Sequence, residues 1–171
     1  MRTLVILALI TLSACREEVS EAPNPVAMTE ESLSFFCQMN VSEHAGPKGQ
    51  IHLDGMPAPL FFAQVRDLVA YLKSPERSAD IAAIYVTDMG AAPSWSEIGA
   101  DNWVAADTAS FVVDAGVRGG MGAPEIVPFA DSGAAEAFVH RYGGTIVTLD
   151  AIPDAAALAP VDLDQPLEDP A

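Results

Sequence analysis

Cysteine is nearly missing from this chain: 171 residues hold two, Cys15 and Cys37. Positive charge is scarce too, with eight Lys and Arg against 24 Asp and Glu and a formal net charge of −16. Such a surface repels nucleic acid and anionic membranes, so nucleic-acid binding is excluded as a class. It concentrates cations without selecting one. No apolar run approaches the roughly 20 residues that a spanning helix needs. The spacings H-x₃₋₅-H, C-x-x-C and HExxH are absent as well. A zinc site of standard type is therefore disfavoured.

Residues 1–14 read as a lipoprotein signal peptide. Arg2 is the charged start, residues 4–12 are a short apolar run, and Leu12-Ser13-Ala14-Cys15 puts small residues before a cysteine. The last stretch resembles a bacterial lipobox. The resemblance implies cleavage before Cys15 and a lipid on its sulfur, hence a protein tethered to a membrane by its anchor alone. The expected address is the periplasmic face, at the outer membrane. An ordinary secretory signal is the alternative. Cleavage removes Arg2 and no acid, so the mature chain is more negative still. With Cys15 lipidated, Cys37 has no disulfide partner. Exported proteins normally use cysteine in pairs. A lone thiol there is either buried and inert or kept for its chemistry.

Residues 15–32, polar and carrying Pro23 and Pro25, read as a lipidated flexible tether. Residues 153–171 hold four prolines and five acids with no base, and read as a disordered acidic tail. Residues 33–152 remain as one α+β domain. Its expected elements are strands at 35–41 and 50–54, joined through the turn sequence GPKGQ into a hairpin. A helix follows at 62–73, where Val65, Leu68, Val69 and Leu72 recur at i, i+3, i+4, i+7. Further strands are expected at 81–87, 109–114, 125–128 and 145–149, and a second helix at 131–142. The order suggests two ββαβ pseudo-repeats, about 33–88 and 103–150.

Chemistry-bearing residues are few. Cys37 and Met39 stand two apart, and on a strand i and i+2 share a face. A thiolate beside a thioether makes a soft clamp that selects Cu(I) over hard cations. Both are also ordinary core residues, and Phe35 and Phe36 adjoin them. Met121 sits among Gly119, Gly120 and Gly122, either as a core plug or as a thioether on a pliant loop. His44, seven positions past Cys37, is the best nitrogen-ligand candidate. His52 is a weaker one, and His140 reads as a surface residue. Met28 and Met56 have no evident role, and Met89 reads as loop packing.

Four stretches resemble the NosL family of lipoproteins that accompany nitrous oxide reductase: C-x-M-x-V at 37–41, FxxxxDLVAYL at 62–72, AIYVTD at 83–88 and MGAPEIVPFADSGAAEAFVHRYGG at 121–144. The resemblance implies a fold of two ββαβ halves and a Cu(I)-binding protein that delivers copper for the reductase's copper centres. It implies the reductase and its membrane transporter complex as partners, and Cys37, Met39 and Met121 as ligands. His44 is the candidate fourth. Two rival readings stand beside it. One is an enzyme with Cys37 as nucleophile, since the organomercurial lyase fold is thought to be related; it would need a base such as His44 or His52. The other is a structural lipoprotein with an inert Cys37.

Overall fold

Apolar periodicity decides most of the architecture. In the computed structural model, which describes residues 22–162 and 164–170, helix α1 forms at Val65–Lys73. It buries Val65, Leu68, Val69 and Tyr71, the face its spacing sets out. It stops where Ser74 turns extended ahead of Pro75. Helix α2, Ser132–Tyr142, starts where Asp131 accepts the Ala134 N–H at 2.9 Å. It ends at Gly143, whose φ is +76°.

Seven strands assemble around these helices. They are β1 (Gly49–Leu53), β2 (Leu60–Phe62), β3 (Ile81–Thr87), β4 (Trp103–Ala105), β5 (Ser110–Val113), β6 (Val127–Phe129) and β7 (Thr145–Val147). One sheet has the order β2-β1-β3-β4 and the other β6-β5-β7, with every pair antiparallel. The element order is therefore ββαβ twice. In each half the first strand is central, flanked by its hairpin partner and by the strand that follows the helix. The α+β class with two pseudo-repeats is the observed fold. Strand β4, added to β3 from the Trp-containing crossing, lies outside the repeat and was not expected. The main core draws on both halves through Ile51, Phe62, Leu68, Val86, Phe111 and Ile126. Each such buried side chain contributes about 1.5–3 kcal/mol.

Three segments differ from the sequence expectation. Residues 35–41 are not a strand. They close a tight turn between an isolated bridge, Leu33 to Asn40, and one 3₁₀ turn at Val41–Glu43. The first hairpin is β1 with β2 through residues 54–59, and Met56, not Cys37 or Met39, occupies the loop equivalent to that of Met121.

The expected tether docks from residue 22 onward in the described chain. The Tyr85 hydroxyl donates to the Pro23 carbonyl, the Gln50 side chain bonds both the N–H and the C=O of Val26, and Met28 is buried. The expected disordered tail folds back as well. Helix α3, Asp154–Leu158, packs on α1, and the Arg66 guanidinium takes the Ala156 and Ala159 carbonyls at 2.9 and 2.6 Å. Farther on, Glu168 exchanges backbone hydrogen bonds with Gly116 and Arg118. Composition reports low average hydrophobicity, and these are a few specific anchors that an average cannot register. The signal segment and Cys15 lie outside the described residues.

Candidate metal centre

The Cys37 turn is held from within. The Ser34 N–H donates to the Met39 carbonyl at 2.8 Å, and the Gln38 N–H to the Ser34 carbonyl at 2.9 Å. Gln38, between the two sulfur residues, has φ +58°. Its side-chain amide satisfies the Phe35 carbonyl at 2.8 Å. Strand alternation thus does not relate Cys37 to Met39; the left-handed residue between them does. The turn joins the domain through the Phe35 N–H, which donates to the Phe61 carbonyl. It also joins through rings: Phe35 and Phe36 pack on Phe62 and Tyr71 with centroids 5.5–6.1 Å apart. Cys37 is half-buried against a cluster of Met28, Val41, Ala63 and Ile98. Met39 is 40% exposed.

His44 ends the 3₁₀ turn, half-buried. Its Nε2 is shielded from solvent and has no hydrogen-bond partner among the described residues. A buried imidazole nitrogen left unpaired is a free donor site. Backbone packing sets this segment against the glycine loop. A Cβ on Gly120 would stand 2.5 Å from the Ala45 carbonyl oxygen and 2.7 Å from His44 Cβ. Only glycine lets the loops approach so closely. The result is a cleft of about 660 Å³ lined by Glu43, His44, Trp95, Arg118, Met121 and Asp169.

Met121 is 40% exposed at the tip of a turn in which the Gly122 N–H returns to the Gly119 carbonyl at 2.9 Å. Its own N–H goes outside the turn, to Gln64 Oε1 at 3.1 Å. Gln64 is buried, directly after Ala63 of the Cys37 cluster. Two consecutive residues thus tie the Cys37 turn to the Met121 loop. His44 follows Val41 of the same cluster on one side and shares the cleft with Met121 on the other.

Two buried ionisable side chains underlie the loops. Lys48 is fully buried and donates to the Gly46 and Ala45 carbonyls at 2.6 and 3.2 Å. Glu125 Oε1 accepts the Arg66 and Ile126 N–H groups at 3.0 and 2.9 Å. Its Oε2 is buried without a partner, and a Cβ on Gly119 would stand 2.5 Å from it. Burial pushes the Glu125 carboxyl up to about 8 against the pull of those N–H groups and of Lys48. Burial likewise lowers Lys48 to about 8, opposed by the charge of Glu125.

The remaining candidates have other work. His52 is buried with Nε2 2.9 Å from Gln50 Oε1 and its ring against Tyr85; burial lowers its pKa. His140 is exposed on α2. Met89 packs against two core clusters. Among the described residues, no three His, Cys, Asp or Glu side chains gather to hold a metal. The donors the chain offers are soft: a thiol, thioethers and one unpaired imidazole nitrogen, a set that fits Cu(I). Sequence reading missed Gln64, Lys48 and Glu125. The signal available for Glu125 was a lone carboxylate inside the apolar run APEIVPF.

Comparison with known proteins gives one family. A family model described as NosL matches residues 25–157. The copper-binding lipoprotein NosL of Achromobacter cycloclastes is 54% identical over 160 residues, covering 93% of this chain and 83% of that protein. Its Stutzerimonas stutzeri counterpart is 28% identical over 155 residues, covering 89% and 79%. The crystal structure of the copper chaperone NosL from Shewanella denitrificans superposes with a TM-score of 0.72 at 31% identity, over 77% of this chain and 97% of that one.

Proposed function

This chain belongs to the NosL family, and from that membership we propose that it is a lipid-anchored Cu(I) carrier. Its cargo is held by Cys37, Met39 and Met121, with the imidazole of His44 as fourth donor, and it supplies copper to the centres of nitrous oxide reductase. The supporting observation is the junction of two loops at Ala63-Gln64, with His44, whose buried Nε2 is unpaired among the described residues, lining the cleft that Met121 also lines.

Loading deprotonates the Cys37 thiol, so one proton leaves for each ion bound. The thiolate supplies charge, and the neutral thioethers favour the reduced ion. Met39 and Met121 are both exposed enough to meet an acceptor's ligands directly. Transfer then runs by exchange, one donor at a time, with Cys37 as the last to let go because it alone is charged. The reductase and its membrane transporter complex are the acceptors this role requires. The anchor on Cys15 holds the carrier at the periplasmic face, at the outer membrane. No described helix is long and apolar enough to cross a membrane.

The test is Cu(I) competition against a chromophoric chelator, with the full chain in detergent micelles. Cys37→Ser is expected to abolish stoichiometric Cu(I) binding. A Cys37→Ser protein that binds one Cu(I) at unchanged affinity would overturn the reading. An inert thiol is distinguished by alkylation of the folded protein: Cu(I) protects a ligand cysteine and leaves an inert one unaffected. Cu(I)-loaded protein mixed with copper-free reductase tests delivery, with transfer expected only from chains that retain Cys37.

A further inference from the structure

Helix α1 begins in an unusual way. Its N-cap residue, Gln64, makes no capping hydrogen bond with its side chain. The first N–H groups of a helix need acceptors from outside the ladder. One of them, Arg66 N–H, is taken by Glu125 from the other half of the chain. Gln64 is released from the capping task, and its Oε1 instead accepts the N–H of Met121. The two halves are thus clasped reciprocally: the second half caps the helix of the first, and the cap residue of that helix bonds the glycine loop of the second.

The bond to Met121 is the one the loop requires. The turn is closed by the Gly122 N–H to the Gly119 carbonyl, so Met121 is the third residue of a four-residue turn. The N–H at that position has no partner inside the turn. A partly buried N–H must find an acceptor elsewhere, and Gln64 supplies it. The fit leaves no slack, since a Cβ on Gly119 would stand 2.8 Å from Gln64 Oε1. Asp67, one turn along α1, is near enough for its carboxyl, raised by burial, to be drawn back down by the Gln64 side chain.

We infer that Gln64 is a positioning residue for the copper site, which fixes the backbone of Met121 so that its thioether is presented on the side of the Cys37 turn. The inference deepens the proposed function and rests on Met121 being a copper ligand. Gln64 touches no metal itself. Its contribution is to spare the ion the work of ordering the loop.

The experiment is a double-mutant cycle on the full chain in detergent, read by Cu(I) competition and by X-ray absorption at the copper edge. Gln64→Leu keeps most of the bulk, removes the acceptor and adds no sulfur. In an otherwise natural chain it is expected to weaken Cu(I) binding about three- to tenfold, the size of one hydrogen bond, and to lower the number of sulfur neighbours at copper. In a Met121→Ala background it is expected to change neither. Equal weakening in both backgrounds, or no weakening in the natural background, overturns the inference. A Met121→Ala chain that binds as the natural one does overturns the ligand role of Met121 instead. Amide exchange of the unmutated, copper-free protein needs no variant. The Met121 N–H is expected to exchange more slowly than that of Gly120, and equally fast exchange overturns the inference.

Discussion

Glu125 Oε1 stands 3.0 Å from the backbone nitrogen of Arg66, 59 residues away in sequence, and accepts its hydrogen. The stability of α1 is thereby tied to a residue four positions past Met121. Glu125→Ala leaves the Arg66 and Ile126 N–H groups buried and unpaired. Each loss costs about 1–3 kcal/mol, so this variant is expected to be among the most destabilising single changes. Chemical denaturation of the copper-free protein measures it. Glu125→Gln keeps one acceptor oxygen and is expected to lose less.

The same residue sets a pH dependence. The Glu125 carboxyl is raised from 4.5 to about 8 in the folded chain, so the folded state binds more protons than the unfolded state between those values. Stability therefore falls as pH rises through that window. Lys48 acts in the opposite sense at higher pH. It is lowered from 10.5 to about 8, and stability recovers between those values. Denaturation midpoints of copper-free protein are expected to decline from about pH 5 toward a minimum near pH 8. Glu125→Gln is expected to remove the decline.

Gly120→Ala tests the close approach of the two loops. The added methyl would meet the Ala45 carbonyl oxygen at 2.5 Å and His44 Cβ at 2.7 Å. Backbone must move, at about 1–3 kcal/mol. The loops separate, so Cu(I) affinity is expected to drop severalfold while the circular dichroism of the domain is retained. Competition titration and far-ultraviolet spectra check the two halves of this expectation.

Gln50→Ala addresses the docked N-terminal segment. Gln50 bonds the Val26 N–H and C=O at 2.9 and 3.0 Å and also meets His52. Without it, residues 22–28 are expected to exchange amide hydrogens faster and to be cut sooner by protease, with the sheets unaffected. Hydrogen exchange followed by mass spectrometry resolves the segment.

How much of this was readable beforehand varies by element, and the reason is physical. Helices α1 and α2 were legible because their apolar positions recur with the helical period, and strand β3 because IAAIYVT is a continuous apolar, partly β-branched run. The repeat followed from their order. Residues 35–41 misled because the polar Gln38 and Asn40 alternate with the apolar Cys37, Met39 and Val41 as the two faces of a strand would. Nothing in the residue type foretells φ +58° at Gln38, since glutamine is no usual left-handed residue. The docked ends were hidden because Arg66 and Gln50 hold them through specific side-chain bonds to backbone groups far along the chain. At the candidate site, Cys37, Met39, Met121 and His44 were visible as residue types. Gln64 and Glu125 were not, because their roles arise from a pairing across 57 to 59 residues that no local pattern encodes.

The two equivalent hairpin turns differ in length: residues 54–59 in the first half, 114–126 in the second. The longer one carries both the thioether of Met121 and the carboxylate that closes the opposite helix. A descendant that abandoned its cargo therefore has no easy route to trimming that turn, because deleting it would uncap α1 along with the donor. Such a descendant can lose the Met121 thioether at little expense to folding, but position 125 must still offer an acceptor to α1.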